Sequence, residues 1–176
     1  MFVVEKRPED DVLSASTIGS NVVMHHHPSN SNYWQNLQGR IVHNWSGLCL
    51  WPLQMQRKSL VILQTPSVVN GSWTVWKSLT GEGRKTYVIF GIRFSDDPEK
   101  YYFLRGRKHT LCLQKGRNIE TGIAVSRSCV FRYKYSTLAN KFVLQHEKTG
   151  KFPSRGNSMQ VKLVEEEEFA DDWRIR

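Results

Sequence analysis

No stretch of this chain is apolar over anything close to the ~20 residues that a bilayer-spanning helix needs. The opening MFVVEKRPEDD is charged from Glu5 onward and has no apolar core of a secretory leader. These two absences make a soluble protein the expectation, cytoplasmic or released without a classical signal peptide. Cysteine is scarce: Cys49, Cys112 and Cys129 are odd in number and widely spaced. That pattern excludes a disulfide-stapled scaffold and a paired-thiolate zinc site, and it favours free thiols. Acidic residues are outnumbered, 16 against 25 Lys and Arg, for a formal charge of +9. Such an excess favours anionic partners but says nothing about the fold. Also missing are a Gly-rich phosphate loop with a following helix, an HExxH, a nucleophile elbow and a CxxC pair. The expectation is a protein that is not an enzyme and uses neither metal nor cofactor.

What the 176 residues do contain is one texture repeated. Residues 1 to about 32 read as a flexible polar tail, because their Ser, Thr, Asn and acidic content cannot bury enough surface to offset ordering entropy. His25-His26-His27 sits in this tail, and adjacent histidines converge poorly on one ion, so no metal site is assigned there. From Gln38 the chain alternates with a two-residue period between turns, the mark of short half-buried strands. An opening strand (41–45, 87–94, 142–146) leads to a turn and an apolar pair (Leu48/Leu50, Phe103/Leu104, Phe152). A third strand follows (60–63, 111–113, 161–163). Each pass closes on an aromatic strand, at Trp73/Trp76, Phe131/Tyr133 and Trp173/Ile175. The passes recur at roughly 40 to 55 residues, a spacing that signals a repeat architecture. The middle pass carries extra length near 118–128. The closing strand at the C-terminus is expected to pair with residues 40–45, leaving no free sheet edge.

Trp73-Thr74-Val75, Asp172-Trp173-Arg174-Ile175, and the turns Ser46-Gly47-Leu48-Cys49-Leu50 and Thr149-Gly150-Lys151-Phe152 carry a resemblance. Over residues 38–176 the chain resembles the β-trefoil superfamily, and the turns are similar to those of ricin-B-type lectins and fascin-like proteins. The resemblance implies an all-β domain of three four-stranded repeats with pseudo-threefold symmetry. It departs from the ricin-type signature in the first unit. The aspartate of "CLD" is replaced at Cys49-Leu50-Trp51, and "QxW" keeps only Trp73. An immunoglobulin-like sandwich would want a cysteine pair around a tryptophan, and a lipocalin-type barrel would lack the threefold recurrence.

Charge locates the expected site. Between Lys77 and Lys134 there are thirteen basic and five acidic residues, nearly the whole excess of the chain. The densest part is Arg105, Arg107, Lys108 and His109, followed after one short strand by Lys115 and Arg117. Two basic turns joined by a hairpin are expected to present one patch. The expected partner is an anionic glycan or an acidic protein surface, with nucleic acid ranked below them because Glu165 to Glu168 opposes it. Of the six tryptophans, Trp73 and Trp173 are expected in the core, and Trp45 and Trp51, flanking a turn, are the candidates for a stacking platform. His43 and His146 occupy similar places on two opening strands and are expected to share a structural role. Two other functions fit the resemblance: a leaderless signalling ligand like the interleukin-1 and fibroblast-growth-factor trefoils, and an intracellular fascin-like cytoskeletal or scaffold protein.

Overall fold

The computed structural model describes residues 2–7, 12–18, 21–25, 33–79, 86–119 and 125–176, with side chains from Asn36 onward except at 78–79. The described residues are all-β, joined by turns and three-residue 3₁₀ turns. The strands are β1 (Phe2–Arg7), β2 (Val12–Ile18), β3 (Asn21–His25), β4 (Tyr33–Gly39), β5 (Ile41–His43), β6 (Cys49–Pro52), β7 (Val61–Gln64), β8 (Trp73–Leu79) and β9 (Thr86–Arg93). After them come β10 (Lys100–Arg107), β11 (Thr110–Arg117), β12 (Val125–Ser126), β13 (Phe131–Ser136), β14 (Lys141–His146), β15 (Phe152–Arg155), β16 (Val161–Val164) and β17 (Trp173–Ile175).

Three ladders join each closing strand to an opening strand further along or back at the start. β8 pairs antiparallel with β9, β13 with β14, and β17 with β5, where Trp173 faces His43 and Ile175 faces Ile41. Backbone bonds between Arg40 and Arg176 run in both directions beside that last ladder. The C-terminal strand therefore lies against residues 40–45, as expected. Three hairpins, β6–β7, β10–β11 and β15–β16, stand off these strands. Backbone bonds link the hairpins head to tail. Leu63 N–H donates to Met159 O (2.8 Å), Leu113 N–H to Ser59 O (3.0 Å) and Leu163 N–H to His109 O (2.9 Å). The donors are fifty residues apart, and so are the acceptors.

The core follows the same spacing. Val61, Leu111 and Val161, with Leu63, Leu113 and Leu163, are buried in one cluster with Trp73, Phe131 and Trp173. Burying side chains of this size contributes on the order of 1.5–3 kcal/mol each. Both tryptophans also satisfy their indole N–H inside: Trp73 Nε1 donates to Leu50 O (3.0 Å) and Trp173 Nε1 to Pro153 O (2.9 Å). Trp76, three positions on from Trp73, points to the other face of β8. It packs in a second cluster with Phe103, Ile119, Val125, Cys129 and Val130, on the outer face of this sheet.

Two turns are built alike. His43 N–H donates to Leu48 O (2.8 Å), Gly47 N–H to His43 O (2.8 Å) and Leu48 N–H to Ser46 Oγ (3.2 Å). The corresponding bonds from His146, Gly150 and Lys151 measure 2.7, 2.8 and 3.3 Å, with Thr149 in the place of Ser46. Gly47 and Gly150 both have φ 73°, the left-handed conformation that glycine adopts without strain. Each histidine ring reaches its hydroxyl through Nδ1, at 2.6 Å for Ser46 and 2.7 Å for Thr149. His43 and His146 thus occupy equivalent places and make equivalent bonds.

Residues 1–32, expected to be a polar tail, are strands where they are described. Within their described parts β1 pairs antiparallel with β2 and parallel with β3, and Leu13 of β2 pairs with Trp34 of β4. Val3-Val4 and Val22-Val23 supply β-branched residues to these strands, and β4 supplies the edge on which they continue. The residues His26 and His27 lie outside the described residues. Among the described residues no cluster of metal-ligating side chains occurs, and no helix is long and apolar enough to cross a membrane.

His146 gives a pH test of this core. Burial lowers its pKa; Nε2–H donation to Ser128 O (2.7 Å) opposes this, and Lys148, Arg105 and Lys151 lower it further. With the folded value below the ordinary ~6.5, the unfolded chain takes up the proton first. Stability from this group is thus complete above about pH 6.5 and falls as the pH drops below it. Urea unfolding of the wild type should weaken between pH 7 and 5 by up to ~1.4 kcal/mol per pH unit. The variant His146→Gln should show a shallower slope; equal slopes would remove His146 from the account.

Candidate anion-binding groove

The hairpin β10–β11 carries the expected basic patch, and its register decides which residues meet. Arg107 pairs with Thr110 across a two-residue turn, Lys108 and His109. Lys108 takes a left-handed φ of 54°. Arg107, Lys108 and His109 are exposed at this tip. Lys115 and Arg117 lie five and seven residues down the strand from Thr110, roughly 16 and 23 Å at ~3.3 Å per residue. Arg117 pairs with Lys100, at the far end of the hairpin. The six residues therefore do not form one compact patch. The strand turns adjacency in sequence into distance.

Arg105 and Lys115 do share a site, with two residues the charge pattern passed over. Arg57, Lys58, Arg105, Leu113, Gln114, Lys115 and Ser126 line a groove of about 490 Å3. The loop between β6 and β7 brings Arg57 and Lys58 there. Lys58 N–H donates to Leu113 O (3.0 Å) while Leu113 N–H returns to Ser59 O (3.0 Å). Lys58 has φ 67°, and Ser59 Oγ accepts from Gln54 N–H (3.0 Å) and donates to Leu60 O (3.2 Å). The loop is thereby held rather than free to collapse into solvent. Ser126 is fixed from the other side, its Oγ accepting from Ser128 N–H (3.2 Å) at the start of a 3₁₀ turn. A signal was present in Arg57-Lys58, but only the backbone bond to β11 shows where it goes.

Four cations and no carboxylate line the groove among the described residues. Arg105 is half-buried, and its Nε is buried without an acceptor among the described residues. An unmet charged donor costs about 1–3 kcal/mol or more, and an anion entering the groove is the group that would satisfy it. The cysteine thiols are poor nucleophiles. Cys49, Cys112 and Cys129 are free and buried. Burial pushes the Cys129 thiol up to about 12 against the lowering effects of Arg105 and the Ser128 hydrogen bond. Cys112 is likewise raised by burial, with Arg105 and Arg107 pulling against it.

The two candidate stacking tryptophans separate. Trp51 is half-buried and meets Trp73 edge-on, with ring centroids 5.8 Å apart at 78°. Its indole also lies 3.0 Å from where a Cβ on Gly71 would stand. Trp45 is 81% exposed, its ring centroid 6.4 Å from that of His43 in an edge-on arrangement. Trp51 packs; Trp45 is available.

Two neighbouring substitutions distinguish groove from support. A Cβ on Gly106 would come 2.6 Å from His146 Nε2, an atom pinned by Ser128 O. Gly106→Ala should cost roughly 1–3 kcal/mol by overpacking. Arg105→Met removes an unsatisfied donor while keeping the stem, and stability should stay within about 0.5 kcal/mol of wild type or rise. Denaturant melts of both variants check this; a large loss in Arg105→Met would make that guanidinium structural. Comparison of the chain with protein-family models, with curated proteins and with solved structures finds no match.

Proposed function

We propose that this chain is a β-trefoil that works as a non-enzymatic binding module, holding an anionic glycan in the groove of Arg57, Lys58, Arg105 and Lys115. Three features support the trefoil arrangement. Closing strands pair with opening strands at three places. Three hairpins are tied by backbone bonds repeating every fifty residues. The turns at Ser46-Gly47 and Thr149-Gly150 share one bond pattern. In this arrangement the hairpin loops are free to diverge while the core keeps them in place.

The observation that carries the function is the concentration of four cations in one concave groove, with no carboxylate in its lining and no acceptor for Arg105 Nε–H among the described residues. Arg offers a planar fork to a sulfate or carboxylate, and Lys adds point charge on flexible stems. A concave groove with a recessed donor suits a narrow chain bearing anions more than the flat acidic surface of a folded protein. The tip residues Arg107, Lys108 and His109, and Arg117 at the other end, then extend the positive field along the hairpin and speed encounter. Protonated thiols and histidines whose two ring nitrogens are both bonded support a role without catalysis.

Heparin chromatography tests this. The variant Arg57→Ser/Arg105→Ser/Lys115→Ser should elute at markedly lower salt, with affinity reduced roughly tenfold or more per residue removed. A control of equal charge change at exposed sites outside that hairpin and groove, Arg93→Ser/Lys148→Ser/Lys162→Ser, should move the elution only slightly. Equal shifts in the two variants would reduce the groove to general charge attraction, and unchanged retention in both would refute it.

A further inference from the structure

A cavity larger than the basic groove lies elsewhere, at the seam where β17 pairs with β5, and the basic groove plays no part in it. It measures about 860 Å3, within the roughly 300–1,000 Å3 common for small-molecule sites. Its walls come from four places: the turn after β5, the turn between β13 and β14, the turn between β15 and β16, and the segment before β17. Two wall residues, Asn140 and Ser158, hold left-handed φ values of 55° and 58°.

The lining is mixed in a specific way. Trp45, 81% exposed, is among the lining residues. Asn44, Asn157 and Ser158 offer groups that both donate and accept. Asp171 and Asp172 are matched by Lys141 and Arg155, so the lining has no excess of charge to recruit an ion. The carboxylates are already oriented. Asp171 Oδ2 accepts from His43 Nε2–H (2.8 Å) and from Arg155 N–H (2.7 Å). Asp172 Oδ2 accepts from Asn44 Nδ2 (2.9 Å), and Asp172 Oδ1 is buried with no donor among the described residues.

We infer that this seam cleft binds a neutral pyranose, with Trp45 stacking on one face of the ring and Asn44, Asn157, Asp171 and Asp172 meeting its hydroxyls. Vicinal hydroxyls each give and take a hydrogen bond, which is what amides beside carboxylates accommodate. The apolar face of a sugar ring covers an exposed aromatic side chain without requiring charge. A phosphate-bearing ligand would meet the two carboxylates, and an apolar one would strand the amides.

Saturation-transfer NMR and calorimetry with the neutral methyl pyranosides of glucose, galactose, mannose and N-acetylglucosamine test the inference. At least one should bind saturably. Trp45→Ala should weaken it tenfold or more, and Asn157→Ala severalfold. Lys115→Ser, in the other groove, should leave it unchanged. Because Trp45 is exposed, the Trp45→Ala variant should keep its circular dichroism and melting temperature. Three results would overturn the inference: no saturable binding by any of the four, binding indifferent to Trp45→Ala, or binding confined to sulfated or phosphorylated sugars. Because heparin retention depends on the other groove, failure here leaves the anionic-glycan reading standing, and the reverse also holds.

Discussion

Three backbone hydrogen bonds set how the hairpins of this protein meet: Leu63 to Met159, Leu113 to Ser59 and Leu163 to His109. Each contributes a net of only about 0.5–1.5 kcal/mol, far less than the buried Leu, Val, Trp and Phe side chains around them. Their importance is register. Each bond is directional and runs between different hairpins, so together they leave one relative placement in which all three amides are satisfied. Apolar burial would tolerate many such placements.

That placement extends outward to both sites. The acceptor Ser59 belongs to the same loop as Arg57 and Lys58, so the bond that closes the ring also brings two cations beside Lys115. The acceptor His109 belongs to the turn that carries Lys108. The seam cleft depends on the other closure, the ladder from Trp173–Ile175 to Ile41–His43. It sets Asp171 against His43 and Asp172 against Asn44. Among the described residues, the non-glycine residues with positive φ are Lys58, Lys108, Asn140 and Ser158. Lys58 lies in the groove, Lys108 at the hairpin tip, and Asn140 and Ser158 in the cleft wall, places where backbone strain commonly accompanies function.

Much of the fold was legible because its causes are local. Period-two alternation and glycine turns mark the strands from residue 38 onward, and Trp73 and Trp173 declared themselves as core by their matching places at the ends of passes. The pairing of the last strand with residues 40–45 followed from the need to leave no edge. What was not legible depends on distance through space. Residues 1 to about 32 are polar enough to read as a tail, and the strands within their described parts join the rest of the chain through long-range pairings, Leu13 with Trp34 of β4 and Val22 with Val125 of β12. Charge density along 105–117 suggested one patch, but a strand extends by ~3.3 Å per residue and carries Arg117 away from the turn. Arg57 and Lys58 were fifty residues upstream and joined the site through a backbone bond that no composition records. Trp45 and Trp51 flank one turn and were indistinguishable in sequence. On β6, Trp51 folds onto Trp73, whereas Trp45 stays in the turn and in solvent.

Amide hydrogen exchange at Leu63, Leu113 and Leu163 tests the central claim most directly. If the three hairpins form one cooperative ring, these amides should share a single protection factor equal to that of global unfolding. If one of them exchanges far faster than the other two under native conditions, the ring is open at that bond and the threefold account fails.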